Sequence, residues 1–416
     1  MRARITAFDE STRFRNQRLH MGVCGSVACC RSPGILRALL RLGLHVGVTL
    51  TQAARQFVTP TLFTSLGAIP VDTDMFAPDG DVFAHLGPGE RAQAMAVVPA
   101  TADCLSRLAH GGAGDMLSAQ VLAFAGPLLV APAMNPRMWA NPAVQQNVRI
   151  LVDRGVVVVG PGGGEAACGE TGTGVLADDG EILLGILRCL SPKDMAGRRV
   201  MVTLGPTRER WDAMRYWTNP STGLMGACLA TAAWLRGADV TAVCGTEQER
   251  LLPVDIHRCP VASARDMFDA AMDLWSGMDI GMFVAAVADF SPERATDAKV
   301  KKVDFPEGFS LRFTPNPDIL ATLSSDRRPG QQVLAFAAET AEDEEELLRL
   351  AREKLLRKGA DVLAANSVTV PGSGFGGTTN GMCVVDATGR EAVWPVQSKA
   401  DAAWELCTWL LSAAIH

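Results

Sequence analysis

Residues 21–51 read MGVCGSVACCRSPGILRALLRLGLHVGVTLT, which is a strand, a glycine-rich turn, a helix and a second strand in succession. Met21–Cys24 and His45–Thr51 are short apolar runs of the kind that form buried strands, whereas Gly34–Leu42 repeats apolar residues at helical spacing. A helix that follows one strand and precedes the next is typical of an α/β fold with a mainly parallel sheet.

The same alternation continues along the first half of the chain. We predict further strands at Ala94–Pro99, Leu128–Ala131 and Val156–Val159, separated by helices at Thr101–Phe124 and Asn141–Arg154. Residues 191–197 read SPKDMAG and are typical of a linker.

A second alternating series follows that linker. Its predicted strands are Arg199–Leu204, Asp239–Cys244, Ile280–Ala288, Val333–Ala338 and Asp361–Ala365, with a hairpin over Cys383–Val396. The sequence therefore predicts an amino-terminal extension (1–19) and two α/β domains of similar size (20–190 and 191–416).

Composition excludes several classes of protein. The chain has 416 residues, 48% of them hydrophobic, and a net charge of −6 without a basic stripe, which argues against nucleic-acid binding. Its longest apolar runs are far shorter than the roughly 20 residues of a membrane span, and its first 20 residues lack the apolar stretch of a signal peptide. Its 11 cysteines are odd in number and contain no C-x-x-C pair, which favours reduced thiols. We expect a cytoplasmic protein whose partners are small molecules.

Lysine is rare in this chain. Only seven of its 39 basic residues are lysine, and none precedes Lys193. Five of the seven fall in two short segments, 299–302 and 354–358, so these positions are candidates for sites that need an ammonium as a compact charge on phosphate.

Small-residue motifs follow the predicted strands of the first half. They are Gly22–Ala28, Pro99–Thr101 and Ala131–Asn135, and a glycine-dense segment at 167–174 is suited to a mobile flap. Ligands of α/β sheets bind at the carboxyl ends of strands, where backbone N–H groups at helix starts attract phosphate. Each motif by itself is equally consistent with an ordinary turn.

A second set of motifs follows the linker. Gly205–Glu209 and Arg215–Gly226 come first, and Ser221 and Thr222 are either ordinary helix N-caps or part of a phosphate site. Next come Ala285–Phe290, Asn316–Ile319, Phe336–Thr340 and the lysine pair Lys354 and Lys358, which share a helix face because they are four residues apart.

Together the motifs of residues 20–185 resemble the flavin-dependent cysteine decarboxylases, and those of residues 197–400 resemble the ligase half of the bifunctional phosphopantothenoylcysteine decarboxylase/phosphopantothenate–cysteine ligases of coenzyme A synthesis. The resemblance implies two doubly wound, Rossmann/flavodoxin-like domains of three layers. It also implies oligomers, with trimeric flavin domains and dimeric ligase domains.

For the first half, the resemblance implies an FMN-dependent decarboxylase. The substrate thiol is oxidised to a thioaldehyde, which loses carbon dioxide before the electrons return. His85 is expected to act as the base, Asn135 to bind the departing carboxylate and Cys168 to donate the last proton. The residues expected to bind FMN are Gly25, Ser26, Ala28, Pro99 and Thr101. Without the resemblance, His85 is most simply a surface histidine and Cys168 an inert thiol.

For the second half, the resemblance implies that CTP, with Mg²⁺ on its phosphates, activates 4′-phosphopantothenate to an acyl-cytidylate, which the amine of cysteine then attacks. Cations must neutralise the charge that develops when these anions meet. Lys299 is expected to do so, Asn219 to hold the acyl-cytidylate and Arg215 to bind the same substrate. The residues expected to bind the nucleotide, besides Lys299, are Ala286, Asp289, Asn316, Pro317, Asp318, Ile319, Phe336, Lys354 and Lys358. The sequence predicts no particular metal ligand.

Four positions depart from the family pattern. Gly114 replaces an asparagine, Val175 replaces an arginine of the flap, Arg31 replaces a helix lysine, and Leu224 replaces a lysine of the second half. Gly114 and Val175 leave open a ligase with a degenerate flavin domain. The resemblance leaves open a second alternative, a non-catalytic flavin- or nucleotide-binding regulatory subunit, because some relatives of the first domain bind partners.

Overall fold

The computed structural model describes residues 6–76, 83–245, 252–304 and 307–413. The chain forms two compact units, which we call the amino-terminal unit (Ser11–Ser191) and the carboxyl-terminal unit (Thr6–Glu10 together with the chain from Pro192). Within the carboxyl-terminal unit, Phe8 is fully buried and packs edge-on against Trp404, with 6.4 Å between ring centroids.

The amino-terminal unit is built on a six-stranded parallel sheet, with a separate two-stranded hairpin. The six strands of the sheet are β1 (Arg18–Val23), β2 (His45–Leu50), β3 (Val71–Asp72), β4 (Ala94–Ala100), β5 (Leu128–Pro132) and β6 (Val157–Val158), and the hairpin strands are β7 (Gly162–Glu165) and β8 (Thr171–Val175). Its described helices are α1 (Ser32–Arg41), α2 (Pro60–Leu66), α3 (Gly87–Arg91), α4 (Ala102–His110), α5 (Met116–Ala123), α6 (Pro136–Trp139), α7 (Pro142–Asp153) and α8 (Asp179–Leu190).

The strand order of this sheet is β3-β2-β1-β4-β5-β6, and β7 and β8 form a separate antiparallel hairpin. Helices cover both faces. Met95 and Val97 of β4 share a buried cluster with Leu105 of α4, whereas Gly185 of α8 lies against Leu129 on the opposite face of β5. The order 3-2-1-4-5-6 is that of the Rossmann fold, in which ligands bind where the order reverses, here between β1 and β4.

The carboxyl-terminal unit repeats the same plan. Its described strands are β9 (Arg199–Leu204), β10 (Arg208–Arg210), β11 (Tyr216–Thr218), β12 (Asp239–Cys244), β13 (His257–Pro260), β14 (Ile280–Phe283), β15 (Phe290–Pro292), β16 (Phe313–Pro315), β17 (Gln332–Glu339), β18 (Val362–Ser367), β19 (Thr379–Asp386) and β20 (Glu391–Ser398). Its described helices are α9 (Leu224–Leu235), α10 (Ala264–Trp275), α11 (Ile319–Ser325), α12 (Glu344–Lys358) and α13 (Lys399–Ala413).

Its main sheet has eight strands in the order β13-β12-β9-β14-β17-β18-β19-β20. The first six are parallel and again follow the order 3-2-1-4-5-6, whereas β19 and β20 add an antiparallel hairpin at one edge. Helices α9 and α13 pack together, and α10, α11 and α12 form another connected set against the sheet. The predicted α/β class with two doubly wound domains is confirmed.

Two predicted elements are wrong in length. The expected helix Thr101–Phe124 is two helices, because Gly111 ends α4 in the left-handed conformation (φ 70°) and Asp115 begins α5 with a capping box to Ser118. Gly114, one of the four departures, lies in this break.

The expected strand Ile280–Ala288 ends at Phe283, the last residue of β14. Beyond it the Thr203 hydroxyl accepts from the Val284 amide at 3.2 Å, and the Thr207 hydroxyl accepts from the Ala288 amide at 3.0 Å. The Val284 and Ala286 amides also donate to the backbone carbonyls of Thr203 and Gly205, but regular strand pairing has ended and residues 284–288 form a loop. Within the described residues no helix is long and apolar enough to cross a bilayer. The cysteines there, including Cys168, are all unbridged.

Candidate active sites

Asn135 and Cys168, both predicted to be catalytic, lie together in the amino-terminal unit. Asn135 follows β5 and caps α6, its Oδ1 accepting from the Arg137 amide at 2.8 Å. Its Nδ2 donates to Sγ of Cys168 at 3.2 Å and to Oε2 of Glu170 at 2.8 Å. Cys168 is exposed at the tip of the β7–β8 hairpin. The predicted flap is therefore an antiparallel hairpin whose tip reaches the end of β5.

Two glycines of β8 permit this approach. The Met134 amide donates to the Gly174 carbonyl at 2.9 Å. A Cβ on Gly174 would lie 2.4 Å from the Met134 carbonyl oxygen, and one on Gly172 would lie 2.9 Å from Pro136. The obstructing atoms at Gly174 are backbone, so no side-chain rotation relieves the overlap. The glycines of the flap therefore allow the hairpin to pack against residues 134–136, and they also give the chain conformational freedom.

Arg137 and Glu170 belong to the same cluster, and the sequence analysis did not single them out. Their side chains form an ion pair, with Arg137 exposed and Glu170 half-buried. A carboxylate is thus held by one amide and one guanidinium beside an exposed thiol. The signal available in the sequence was proximity, because Arg137 lies two residues after Asn135 and Glu170 lies two residues after Cys168.

The predicted flavin-binding residues lie at the carboxyl ends of β1 and β4, on either side of the point where the strand order reverses. The Ser26 Oγ accepts from the Ala28 amide at 3.3 Å, and the Thr101 Oγ1 accepts from the Cys104 amide at 3.3 Å, so both hydroxyls cap helical turns. The Cys24 amide donates to the Pro99 carbonyl at 3.2 Å and joins the two strand ends.

Gly25 has a packing reason to be glycine. A Cβ there would lie 2.4 Å from the Cβ of Ala53 in the next loop. A cavity of about 430 Å³ lies at the opposite, amino ends of the strands and is lined by Arg18, His20, His45 and Arg91, among others. None of the predicted flavin-binding residues lines that cavity.

His85 stands apart from this cluster in the described residues. It follows the undescribed residues 77–82 and precedes α3. Its Nδ1 is buried without a hydrogen-bond partner in the described chain, and its ring lies 6.4 Å from that of Phe83. The structure shows no hydrogen bond that joins His85 to Asn135 or Cys168 within the same ranges. A buried imidazole nitrogen with no partner is unusual and favours a ligand-facing role.

The replacement at Arg31 has a clear structural use. Its guanidinium donates to the Leu176 carbonyl at 2.9 Å and the Ala177 carbonyl at 2.7 Å, and it pairs with Asp179 at 2.5 Å. It thereby anchors the segment that follows the hairpin. Val175 pairs with Gly162 in the hairpin and brings no charge to the site.

In the carboxyl-terminal unit most predicted residues line one cavity of about 530 Å³. It lies at the carboxyl ends of β9, β14, β17 and β18, around the reversal of strand order between β9 and β14. The predicted residues that line it are Asn219, Ala286, Asp289, Asn316, Pro317, Asp318, Ile319, Phe336, Lys354 and Lys358.

Two carboxamides shape the loop that follows β14. The Nδ2 of Asn219 donates to the carbonyls of Ala286 at 3.2 Å and Val287 at 3.1 Å. The Nδ2 of Asn316 donates to the carbonyl of Ala288 at 2.8 Å. Because both nitrogens face carbonyls, the side-chain oxygens point elsewhere, and in the described chain neither accepts a protein hydrogen bond. They remain available to a ligand.

Both predicted lysines of α12 are paired with acids at the cavity. The Nζ of Lys354 lies 2.7 Å from Oε1 of Glu339, and Lys358 contacts Asp318, which caps α11. Burial acts to raise the pKa of Asp318, but the hydrogen bonds from Lys358 and the Ala321 amide outweigh it and hold that pKa below its usual value. The two ammonium groups are therefore held at the cavity by carboxylates that an anionic ligand can displace.

The start of α9 also faces this cavity. Gly223 precedes the helix in the left-handed conformation (φ 67°), and Leu224, where the family pattern has lysine, is buried at its first position. A Cβ on Gly226 would lie 2.4 Å from that of Leu204, so Gly226 lets the helix pack on β9. Gly223 suits phosphate approach, whereas Gly226 has a packing role.

Lys299 and Arg215 do not line the cavity but lie near each other. Val300 donates its amide to Oδ2 of Asp212 at 3.2 Å, and Arg215 pairs with the same carboxylate at 3.2 Å. Arg215 also stacks on Trp211, 4.9 Å from the ring centroid. Lys299 is exposed. Asp212 thus holds both Arg215 and the backbone that follows Lys299.

Lys399 is a cavity residue that the sequence analysis missed. It is 4% exposed, begins α13 and lines the cavity together with Asn380 and residues 374–376. The scarcity of lysine was the available signal, because only Lys193 and Lys399 lie outside the two segments considered. Lys193 instead donates to the carbonyl of Leu235 at the end of α9, at 3.2 Å.

No group of three or more His, Cys, Asp or Glu side chains that could hold a metal ion occurs within the described parts of the chain. Magnesium that accompanies a nucleotide takes most of its ligands from phosphates and water, with one or two carboxylates from the protein. Asp289 is exposed at the cavity and forms no ion pair in the described chain. It is the residue that fits such a role.

Comparisons with known proteins agree with both halves of this geometry. Residues 8–191 match the family model described as Flavoprotein, and residues 195–413 match the model described as DNA/pantothenate metabolism flavoprotein C-terminal domain. The chain is 36% identical over 391 residues to the coenzyme A biosynthesis bifunctional protein CoaBC of Vibrio vulnificus, covering 94% of this chain and 96% of that protein.

The corresponding protein of Bacillus subtilis is 36% identical over 398 residues, again covering 94% and 96%. The crystal structure of the C-terminal domain of a protein of the same description is 28% identical, with a TM-score of 0.43, and covers 53% of this chain and 97% of that one. The chain belongs to the bifunctional CoaBC family.

CoaBC proteins combine a decarboxylase and a ligase of coenzyme A biosynthesis in one chain, and this chain is such an enzyme: it makes phosphopantothenoylcysteine and decarboxylates it. The predicted family and the predicted pair of activities are confirmed. The amino-terminal unit corresponds to the flavoprotein model and the carboxyl-terminal unit to the second model.

Proposed function

We propose that the carboxyl-terminal unit uses CTP and Mg²⁺ to activate 4′-phosphopantothenate as an acyl-cytidylate. The carboxylate attacks the α-phosphorus of CTP and pyrophosphate leaves. The amine of cysteine then attacks the acyl carbon, CMP leaves, and the amide forms. The observation that carries the proposal is the cavity at the reversal of strand order, which collects ten of the predicted residues.

The charges of that cavity suit a triphosphate. Lys354 and Lys358 are held by Glu339 and Asp318. Phosphate oxygens compete for the same ammonium groups, so nucleotide binding exchanges protein ion pairs for ligand ion pairs. Asp289 fits a ligand of the metal that accompanies the phosphates. The side-chain oxygen of Asn219 is available as an acceptor and fits a hydrogen-bond donor of the activated acyl intermediate. Lys299 supplies a cation that neutralises the charge developing on the phosphates, and Arg215 binds the acid substrate.

We further propose that the amino-terminal unit performs the decarboxylation with FMN. When bound, FMN supplies the reversible electron acceptor for the thiol of the substrate. Small residues at the ends of β1 and β4, with the helical turns that Ser26 and Thr101 cap, fit a flavin phosphate at the reversal of strand order. The residues present therefore fit the group.

Glu170 supports the role proposed for Asn135. Its carboxylate accepts from Nδ2 of Asn135 at 2.8 Å and pairs with Arg137, where the carboxylate of a substrate is expected to bind. A substrate in this position takes the place of Glu170 and lies beside Sγ of Cys168. That thiol then donates a proton to the product of decarboxylation. His85, with its buried and unpartnered Nδ1, fits the base that takes the first proton.

Two measurements test these proposals on the purified full chain. An absorbance spectrum after incubation with FMN reports flavin uptake, and a protein that stays colourless contradicts the decarboxylase assignment. Pyrophosphate release from CTP should require 4′-phosphopantothenate and magnesium. Release that is independent of the acid contradicts the acyl-cytidylate. ATP in place of CTP is the control for nucleotide choice.

The family resemblance also leads us to propose a homo-oligomer with trimeric flavin units and dimeric ligase units. Light scattering on the purified protein measures its mass. A monomer at micromolar concentration contradicts this assembly.

A further inference from the structure

One loop of the nucleotide cavity is held at both ends by a single residue. The loop, residues 374–378, is the last part of the connection from β18 to β19, and its Gly374, Phe375 and Gly376 line the cavity. Lys399 donates from Nζ to the Gly374 carbonyl at 3.2 Å and from its backbone amide to the Thr378 carbonyl at 2.9 Å. We call this segment the 374–378 loop.

Asn380 strengthens the same anchor. It is 3% exposed, and its Oδ1 accepts from the Gly374 amide at 3.2 Å. The backbone amide and the backbone carbonyl of Gly374 are thus both bound by buried side chains. Gly374 has φ 97°, and a Cβ there would lie 3.3 Å from the Cα of Val368, so only glycine fits without strain. The geometry of the loop is specified at its first residue.

The middle of the loop is less constrained. Phe375 is 45% exposed at the cavity although it is a large apolar side chain, and a Cβ on Gly376 would meet nothing within 4 Å. An aromatic face left open beside a cavity, on a loop fixed at its ends, is suited to contact a ligand rather than the core.

We propose that Lys399 is a positioning residue for the nucleotide site: it holds the 374–378 loop so that Phe375 and Gly376 form one wall around bound CTP. The inference rests on the proposed binding of CTP in this cavity. Burial explains why a charged residue is retained here, because an ammonium donates hydrogen bonds that are stronger than neutral ones to a carbonyl in a site largely removed from water. The lysine scarcity of the chain is consistent with this, since arginine is its usual cation.

The test compares Lys399→Met and Lys399→Arg with Lys193→Met, which removes an ammonium bound to a backbone carbonyl at the same 3.2 Å distance but away from the cavity. Loss of a charge-assisted hydrogen bond predicts roughly a tenfold or larger rise in KM for CTP in Lys399→Met, with kcat much less changed. Lys399→Arg should recover part of this loss, and Lys193→Met should leave KM unchanged.

Hydrogen exchange gives a second readout on the same proteins. CTP should slow exchange of the 374–378 amides in the wild type and in Lys193→Met, but not in Lys399→Met at saturating CTP. If CTP does not protect any segment of the wild-type cavity, the proposed nucleotide site fails. If CTP protects the loop equally in wild type and Lys399→Met, the site stands and the role of Lys399 is refuted.

A double-mutant cycle with Phe375→Ala separates positioning from general stability. If Lys399 acts through the loop, the two substitutions together should raise KM no more than the larger single effect. Strictly multiplicative effects on KM contradict the proposal. Should Lys399→Met fail to fold, the comparison of Lys399→Arg with Phe375→Ala provides the same cycle.

Discussion

The Nδ2 of Asn135 lies 3.2 Å from Sγ of Cys168, and this contact joins the end of β5 to the tip of the β7–β8 hairpin. The hydrogen bond fixes the thiol beside the carboxamide. The same Nδ2 binds the carboxylate of Glu170. One carboxamide therefore contacts both a carboxylate and the thiol that we propose as the proton donor.

Cys168→Ser should release carbon dioxide at a normal rate but lower formation of the reduced product roughly a hundredfold or more, since a hydroxyl is a far weaker acid in this position. Mass spectrometry distinguishes the unreduced from the reduced product. Cys259→Ser, a half-buried thiol of the carboxyl-terminal unit, is the control. Full reduction by Cys168→Ser refutes the role of the thiol.

Gly174→Ala should displace the hairpin, because the added Cβ would lie 2.4 Å from the Met134 carbonyl oxygen. Small misplacements of catalytic groups cost up to about a hundredfold in rate, so we expect decarboxylation to fall by about that factor while ligation is unchanged. Gly163→Ala lies in the same hairpin with nothing within 4 Å of its added Cβ, and it should be silent. Equal activity of the two variants contradicts the docking argument.

Strand and helix periodicity was sufficient to predict the α/β class. It was insufficient at Gly111–Asp115, where a helix stops and restarts, and after Phe283, where threonine hydroxyls accept from loop amides and regular strand pairing ends. An apolar period shows which face is buried but not where an element ends. The helix break is set locally by Gly111 and by the Asp115–Ser118 capping box, whereas the strand end depends on threonines 81 residues earlier in the chain.

The candidate sites were likewise predicted only in part. The motif residues at strand ends came together because parallel strands end at one edge of a sheet. Lys399 escaped notice because it begins a helix after an antiparallel hairpin, where no motif marks it. Glu170 and Arg137 escaped because their pairing is visible only once the hairpin is folded over α6.

Lys299→Gln should lower pyrophosphate release by roughly a hundredfold to a thousandfold, since it removes one of the cations expected to neutralise the transferring phosphate. Lys299 precedes Val300, whose backbone Asp212 and Arg215 hold, and it lies outside the cavity wall. We therefore expect kcat to fall more than KM for CTP rises. Lys193→Gln, a lysine outside both lysine segments, is the control. Unchanged turnover of Lys299→Gln contradicts its assignment.

Acid should destabilise the amino-terminal unit through His20. Burial, with a further effect of the Arg91 charge, lowers the pKa of this histidine to about 4, although hydrogen bonding to the Gln120 side chain offsets part of the shift. The folded protein therefore favours neutral His20, whereas the unfolded chain binds a proton near pH 6.5.

The stability that depends on neutral His20 is complete above pH 6.5 and is lost as the pH falls towards 4. One proton across this interval corresponds to roughly 3 kcal/mol in the free energy of unfolding. Carboxylates with a lowered pKa, such as Asp266, affect the free energy of unfolding mainly at lower pH, because their pKa in the unfolded chain is already near 3.8. Urea unfolding between pH 4 and 7 should show a smaller pH slope in His20→Gln than in the wild type. His45→Gln, exposed at the same end of the sheet, should keep the wild-type slope, and an unchanged slope in His20→Gln overturns this prediction.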